Sequence, residues 1–180
     1  MTLELRRLEG AAFDAAIPDL AVILADAVAG GASVGFLLPF SPDDAATWWH
    51  SLERDVAHGS VLVIVARLDG RVVGTAQLRL AQLPNARHRA EVAKVLVHRS
   101  ARRRGIATAL MREIERIAVA DGRTLLVLDT IADSEAEPLY VKLGWTRAAE
   151  IPRYAGMPDG ELRPTVIFYR DLAVRGRGRA

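Results

Sequence analysis

The chain has 180 residues, of which 51% are hydrophobic and 26% charged, with a formal charge of +2 and a pI near 9.4. That composition is ordinary for one soluble domain with a substantial core, and too weakly charged to define a whole-molecule nucleic-acid binder. With no cysteine in the sequence, disulfide frameworks, thiolate nucleophiles and cysteine-bearing metal sites are excluded.

In chain order, Phe13, Ile17, Leu20, Val22, Ile23 and Leu24 recur at roughly helical spacing. Pro18 falls inside this pattern, which predicts a turn and then a helix from about Pro18, ended by Gly30-Gly31. Ser41-Pro42-Asp43-Asp44 reads as a helix start, with a Ser cap, a proline suited to the first turn and acids near the positive end. The helix that follows carries Trp48, Trp49 and Leu52.

Val61–Arg67 and Arg71–Leu80 are β-rich segments joined through Asp69-Gly70, a strong hairpin signal. A third strand is expected at about Ala90 to Val97, then a helix from Gly105 to Ala120 closed by Asp121-Gly122. Thr124–Thr130 is a continuous apolar run, as expected of a strand covered on both faces. A helix over Ser134–Leu143, ended by Gly144, and strands at Trp145–Ile151 and about Pro164–Arg170 complete the pattern. This succession implies an α/β or α+β fold with one mixed sheet and helices packed on it. Residues 1–173 are expected to form a single domain, and 174–180 a disordered Arg/Gly tail.

The most informative stretch is Val95–Met111, an apolar strand running through an arginine-rich turn into an amphipathic helix. The first N–H groups of such a helix lack intrahelical partners and point into one space, where the helix dipole also favours an anion. Gly105 and Ala107 would let a pyrophosphate approach the backbone. The expected ligand is a phosphorylated cofactor. A solvated turn is the plainer reading of Arg102, Arg103 and Arg104 taken alone.

Arg102-Arg103-Arg104-Gly105-Ile106-Ala107 resembles the Arg/Gln-x-x-Gly-x-Gly/Ala signature of the GNAT superfamily of acyl-CoA N-acyltransferases. Ala136-Glu137-Pro138-Leu139-Tyr140-Val141-Lys142-Leu143-Gly144-Trp145 resembles the family's Ala-x-x-Leu-Tyr-x-x-x-Gly-Phe segment, in the expected order downstream. The resemblance runs from Val61 to Tyr169. It implies the GNAT fold: a mostly antiparallel twisted sheet with splayed central parallel strands and helices on both faces. A narrower likeness, to the tabtoxin-resistance acetyltransferase and its relatives, is carried by His88–Lys94, Leu128-Asp129-Thr130 and Ile151–Gly160. Two positions depart from the family pattern. Arg99 stands where many relatives have proline, implying a less rigid turn. Asp133 stands where relatives often have an asparagine that contacts pantetheine.

The resemblance implies transfer of an acetyl group from acetyl-CoA to a primary amine by direct attack, without a covalent enzyme intermediate and without a metal. Main-chain groups of Val95, Leu96 and Val97 would bind the pantetheine like an added strand, and one amide would polarise the thioester oxygen. The turn and helix start, Arg102, Arg103, Arg104, Gly105, Ile106, Ala107 and Thr108, would hold the diphosphate.

Strand alternation points Glu91 towards the cleft, where burial beside apolar groups would suit it to accept a proton; the plain alternative is a surface carboxylate paired with Arg89 or His88. Asp129, at the carboxyl end of the buried run, is a second carboxylate candidate, or else a simple cap. Tyr140 matches the family tyrosine near the coenzyme sulfur and would act as general acid, against a plain role as a core aromatic. Trp49 or Tyr154 would line the acceptor pocket, although helical spacing sends at least one tryptophan to the core.

The acceptor expected is a small-molecule amine in a cytoplasmic enzyme, with a homodimer possible from the resemblance. No apolar run approaches the roughly 20 residues of a membrane span. Two alternatives keep the fold: acetylation of a protein or peptide amine, which needs an open groove, and a silent acyl-CoA-binding domain, against which Glu91, Asp129 and Tyr140 argue together.

Overall fold

The computed structural model describes residues 2–173. Its seven-stranded sheet has the order β1-β2-β3-β4-β5-β7-β6, with β1 Leu3–Leu8, β2 Val61–Leu68, β3 Arg71–Leu80 and β4 Arg89–Val97. The second half comprises β5 Leu125–Ile131, β6 Thr146–Gly156 and β7 Leu162–Asp171. All neighbours are antiparallel except β4 and β5.

Alternation along β2 shows how the sheet is sandwiched. Val61, Val63 and Val65 face α1 (Ala11–Ala29) and α2 (Pro42–His50), whereas Leu62, Ile64 and Ala66 face α4 (Ile106–Ala120). A strand buried on both sides has no polar face to show, which is why the sequence there is an unbroken apolar run. The hairpin turns at Asp69 and Gly70, both with positive φ. α2 begins on the expected Ser cap, which is part of a capping box: Asp44 N–H donates to Ser41 Oγ at 3.1 Å, and Ser41 N–H donates to the Asp44 carboxylate at 2.9 Å.

Several elements differ from the sequence expectation, including β6, which runs on to Gly156 instead of ending at Ile151. α1 starts at Ala11 rather than at Pro18, which lies exposed inside it. The proline forfeits one helical hydrogen bond, but Phe13, Ile17, Leu20, Leu24 and Val28 form a buried stripe on either side of it, and that burial outweighs the loss. β1 was not anticipated, because Arg6-Arg7 interrupts the alternation of Leu3, Leu5 and Leu8; it is an edge strand, where such a break is tolerated. A short α3 (Glu53–Ala57) follows α2, and α5 spans only Glu137–Lys142.

Two features open the sheet in its middle. β4 and β5 pair only at Arg89↔Leu125, Ala90↔Leu126 and Glu91↔Val127, although β4 runs on to Val97 and β5 to Ile131. In addition, the β3 register steps from Gln77↔Ala93 to Thr75↔Leu96, so Lys94 and Val95 together oppose Ala76. Lys94, with φ of 50°, is the bulged residue. The bulge exchanges the faces of β4: Ala90 and Val92 pack with α4 before it, Val95 and Val97 after it, and Leu96 turns to the α1 side. The result is a cleft between two splayed strands whose main-chain groups, beyond Glu91, have no strand partner across it.

Candidate active site

The arginine-rich turn is built as its sequence requires. After β4, a 3-10 turn over Arg99–Ala101 leads to Arg103, with φ of 62°, and Gly105, with φ of 77°, which is the N-terminal cap of α4. No side chain caps α4, and the first loop-to-helix hydrogen bond is donated by Ala109 to the Gly105 carbonyl at 3.0 Å. The N–H groups of Ile106, Ala107 and Thr108 therefore remain without protein acceptors among the described residues. They face a cavity of about 410 Å³.

Seven of the ten residues expected at a cofactor line this cavity: Val97, Arg102, Arg103 and the run Gly105 to Thr108. The opposite wall is Pro138, Leu139 and Lys142 of α5, so the two sequence motifs meet across one space. Sequence reasoning did not single out those three, although they lie inside the second motif. Arg104 lines a neighbouring cavity of about 490 Å³ with Asp69 and Arg71 of the β2–β3 turn. Leu96 is buried in the α1-side core and Val95 packs against the α4-side core, so only their main chains can serve a ligand in the cleft.

Such a cradle fits an acyl-coenzyme A. Unpartnered helix N–H groups and arginines suit its diphosphate, and an unpaired strand edge suits the amides of its pantetheine. When bound, that molecule supplies a thioester, the acyl donor.

Arg99, at the position expected to loosen the turn, does the opposite. Its N–H donates to Asp26 Oδ2 at 3.0 Å and its guanidinium to the Asp26 main-chain oxygen at 3.2 Å and to Oδ1. Burial pushes the Asp26 carboxyl up, but the bonds from Arg99 and the charges of His98 and Arg99 outweigh it and hold the group below its ordinary value. The turn is thus tied to α1 by a residue that replaces a stiff backbone with an ion pair.

The expected catalytic groups surround the cleft unequally. Glu91 is exposed, opposite Arg79 on β3 and beside Val127 on β5. It makes no ion pair with Arg89 or His88, and the apolar burial expected of it is absent because this end of the sheet face is uncovered. Asp129 lies within β5 rather than at its end, exposed, two residues beyond the last pairing with β4. It is not a cap. Tyr140 is buried at 6% exposure, its ring 5.7 Å from Phe168 and 6.2 Å from Trp145. Burial, with a lesser contribution from the Asp129 charge, pushes its phenol up to about 12.

Trp49 needs correcting. It is fully buried between Phe13 and Trp48 in the α1-side core, so it cannot line a pocket. Its neighbour Trp48, half-buried a helical step round α2, packs against Phe36 and Lys94. Tyr154 is 56% exposed on β6, beside Arg153 with φ of 54° at a register shift. Lys94, which the sequence offered only as part of a string, proves central. Its Nζ sits 5.0 Å from the Trp48 ring centroid and 5.7 Å from that of Phe36. Burial and the Arg79 charge bring its ammonium down to about 8, against the opposing pull of Asp129 and Glu91. No spacing pattern marks a lysine in a bulge.

A sheet split between its central parallel strands, with a helix N-terminus aimed at the split, is the architecture of an acyl-CoA transferase. A family model for the acetyltransferase (GNAT) family matches residues 28–145, and the chain belongs to that family of N-acetyltransferases. Solved structures agree over nearly the whole length. An N-acetyltransferase of Staphylococcus aureus Mu50 superposes with a TM-score of 0.79 at 22% identity, covering 96% of this chain and 99% of that one. A ribosomal-protein-alanine N-acetyltransferase of Brucella melitensis gives 0.77 at 22%, covering 94% and 99%. The protein yncA of Salmonella typhimurium, whose structure holds its cofactor acetyl-CoA, gives 0.76 at 19%, covering 96% and 95%.

Proposed function

We propose that this enzyme transfers an acetyl group from acetyl-CoA to the primary amine of a small molecule. The observation that carries the reading is the cavity shared by the α4 N-terminus and α5 at the mouth of the β4–β5 cleft. A diphosphate bound at Arg102, Arg103 and Gly105 to Thr108 aims the pantetheine down the free edge of β4, past Val97, Leu96 and Val95. A main-chain amide there donates to the thioester carbonyl and stabilises the charge that grows on it.

Only a neutral amine attacks, so a proton must leave the acceptor. Asp129 and Glu91, on the strands that flank the cleft, are the carboxylates that receive it, directly or through water. Tyr140 keeps its proton at any working pH and donates a hydrogen bond towards the departing sulfur. The narrower likeness to the tabtoxin-resistance enzymes supports a small acceptor. So does the α1–α2 connection, whose Phe36 packs against Lys94 of β4. Ser33 Oγ donates to the Gly156 carbonyl at 2.8 Å and Leu38 N–H to the Pro158 carbonyl at 2.8 Å, ties to the β6–β7 hairpin that favour a compact pocket over an open groove.

The test is coenzyme A release from acetyl-CoA across a panel of small amines, with a peptide panel alongside. Turnover confined to small amines is expected. Turnover confined to peptide N-termini or lysines would replace this acceptor class with a protein.

A further inference from the structure

Lys94 is an unusual place to find an ammonium. Its backbone is in the left-handed region, which costs a non-glycine residue energy, and its side chain is largely removed from water. The Phe36 and Trp48 rings hold the cation, yet no carboxylate of the described residues forms an ion pair with it. Beside the two rings, the charges that act on it come from Arg79 on β3, Glu91 on its own strand and Asp129 on β5. Only Lys94 and Lys142 are lysines among 24 basic residues, so the chain uses lysine here where arginine is its habit. A compact ammonium fits against both rings and still presents donors, whereas a planar guanidinium needs more space there.

Resting on the acetyltransferase reading, we propose that Lys94 is a specificity-determining residue that binds an oxyanion of the acceptor, so that the enzyme selects amines carrying an acid group on the same molecule. Lys94 and Arg79 stand among two carboxylates, Glu91 and Asp129, on the strands β3, β4 and β5 at the cleft. That balance suits a zwitterion, whose amine turns to Asp129 and Glu91 and whose acid turns to Lys94. A site for plain polyamines would not keep a cation in its wall.

The experiment compares matched probes: free amino acids with their carboxamides, and β-alanine and γ-aminobutyrate with the alkylamines of the same length. Each is assayed for coenzyme A release with wild-type enzyme, Lys94→Met and Lys94→Arg. Wild type should prefer the acid of a pair by at least about tenfold in kcat/KM. Lys94→Met should bring the ratio towards one, and Lys94→Arg should restore part of it. Unaltered acetyl-CoA affinity and a thermal midpoint no lower than that of wild type show that the variants are folded. Equal use of acid and amide by wild type, or an unchanged ratio in Lys94→Met, overturns the inference. Turnover of amines without acid groups alone overturns it while leaving the acetyltransferase reading intact. Release with no amine at all removes both.

Discussion

Asp26 on α1 and Arg99 in the turn after β4 are 73 residues apart, yet the Asp26 carboxylate accepts the Arg99 main-chain N–H at 3.0 Å. The pair ties the turn that presents the α4 N-terminus to a helix on the other face of the sheet. Asp26→Asn should therefore weaken the turn more than the fold. We expect a loss of about 1–3 kcal/mol in stability and a several-fold rise in the acetyl-CoA KM with kcat little changed. Urea unfolding and steady-state kinetics measure both. The sign of the pH dependence follows from the lowered carboxyl: its contribution is complete above the unfolded value near 3.8 and is lost as pH falls through the folded value. Asp26→Asn should remove that acid-side slope.

Gly105→Glu places a carboxylate among the N–H groups meant for phosphates. Nothing crowds a Cβ there, so the expected loss comes from charge and from the positive φ, not from a clash. Acetyl-CoA affinity should fall by at least about a hundredfold, near 3 kcal/mol. Gly105→Ala, sharing the strain without the charge, should lose far less. Equal losses in the two variants would assign the effect to the backbone alone.

Tyr140→Phe keeps the ring that packs on Phe168 and Trp145 and deletes only the hydroxyl. Turnover should drop by about 10² with acetyl-CoA affinity nearly unchanged. Because the wild-type phenol lies near 12, no downturn of rate below pH 10 should trace to it. An unaltered kcat would leave Tyr140 as a core aromatic.

Lys94→Met should stabilise the protein at neutral pH. The wild-type ammonium falls from 10.5 to about 8 on folding, so burying its charge costs stability fully below pH 8, by up to about 3 kcal/mol less the attraction of the rings. Between pH 8 and 10.5 the unfolded chain binds more protons than the folded one, and wild-type stability rises with pH. The advantage of the methionine variant should shrink across that window. Parallel stability curves for the two proteins would show that the ammonium is not desolvated.

Much of this architecture is legible in the residues. The Asp69-Gly70 hairpin, the Ser41 cap and the strand–turn–helix around Gly105 are local, and local chemistry fixes them. β1 escapes because edge strands need only one good face, and the full length of α1 escapes because tertiary burial overrules a proline. The site divides the same way. The turn and helix start that line the cavity are written in contiguous residues, while Trp48, Lys94 and Asp26 act through contacts between distant segments. Trp48 and Trp49 differ in which side of α2 they occupy, and one residue of helical rotation decides between a contact with Lys94 and full burial. No periodicity resolves that step.

The central claim is that the amides of Ile106, Ala107 and Thr108 and the facing wall of α5 hold an acyl-coenzyme A. Calorimetric titration of the full chain with acetyl-CoA measures it most directly. The account predicts one saturable site whose affinity falls steeply in Gly105→Glu. Folded protein that takes up no acetyl-CoA, or binds it equally well in that variant, would contradict it.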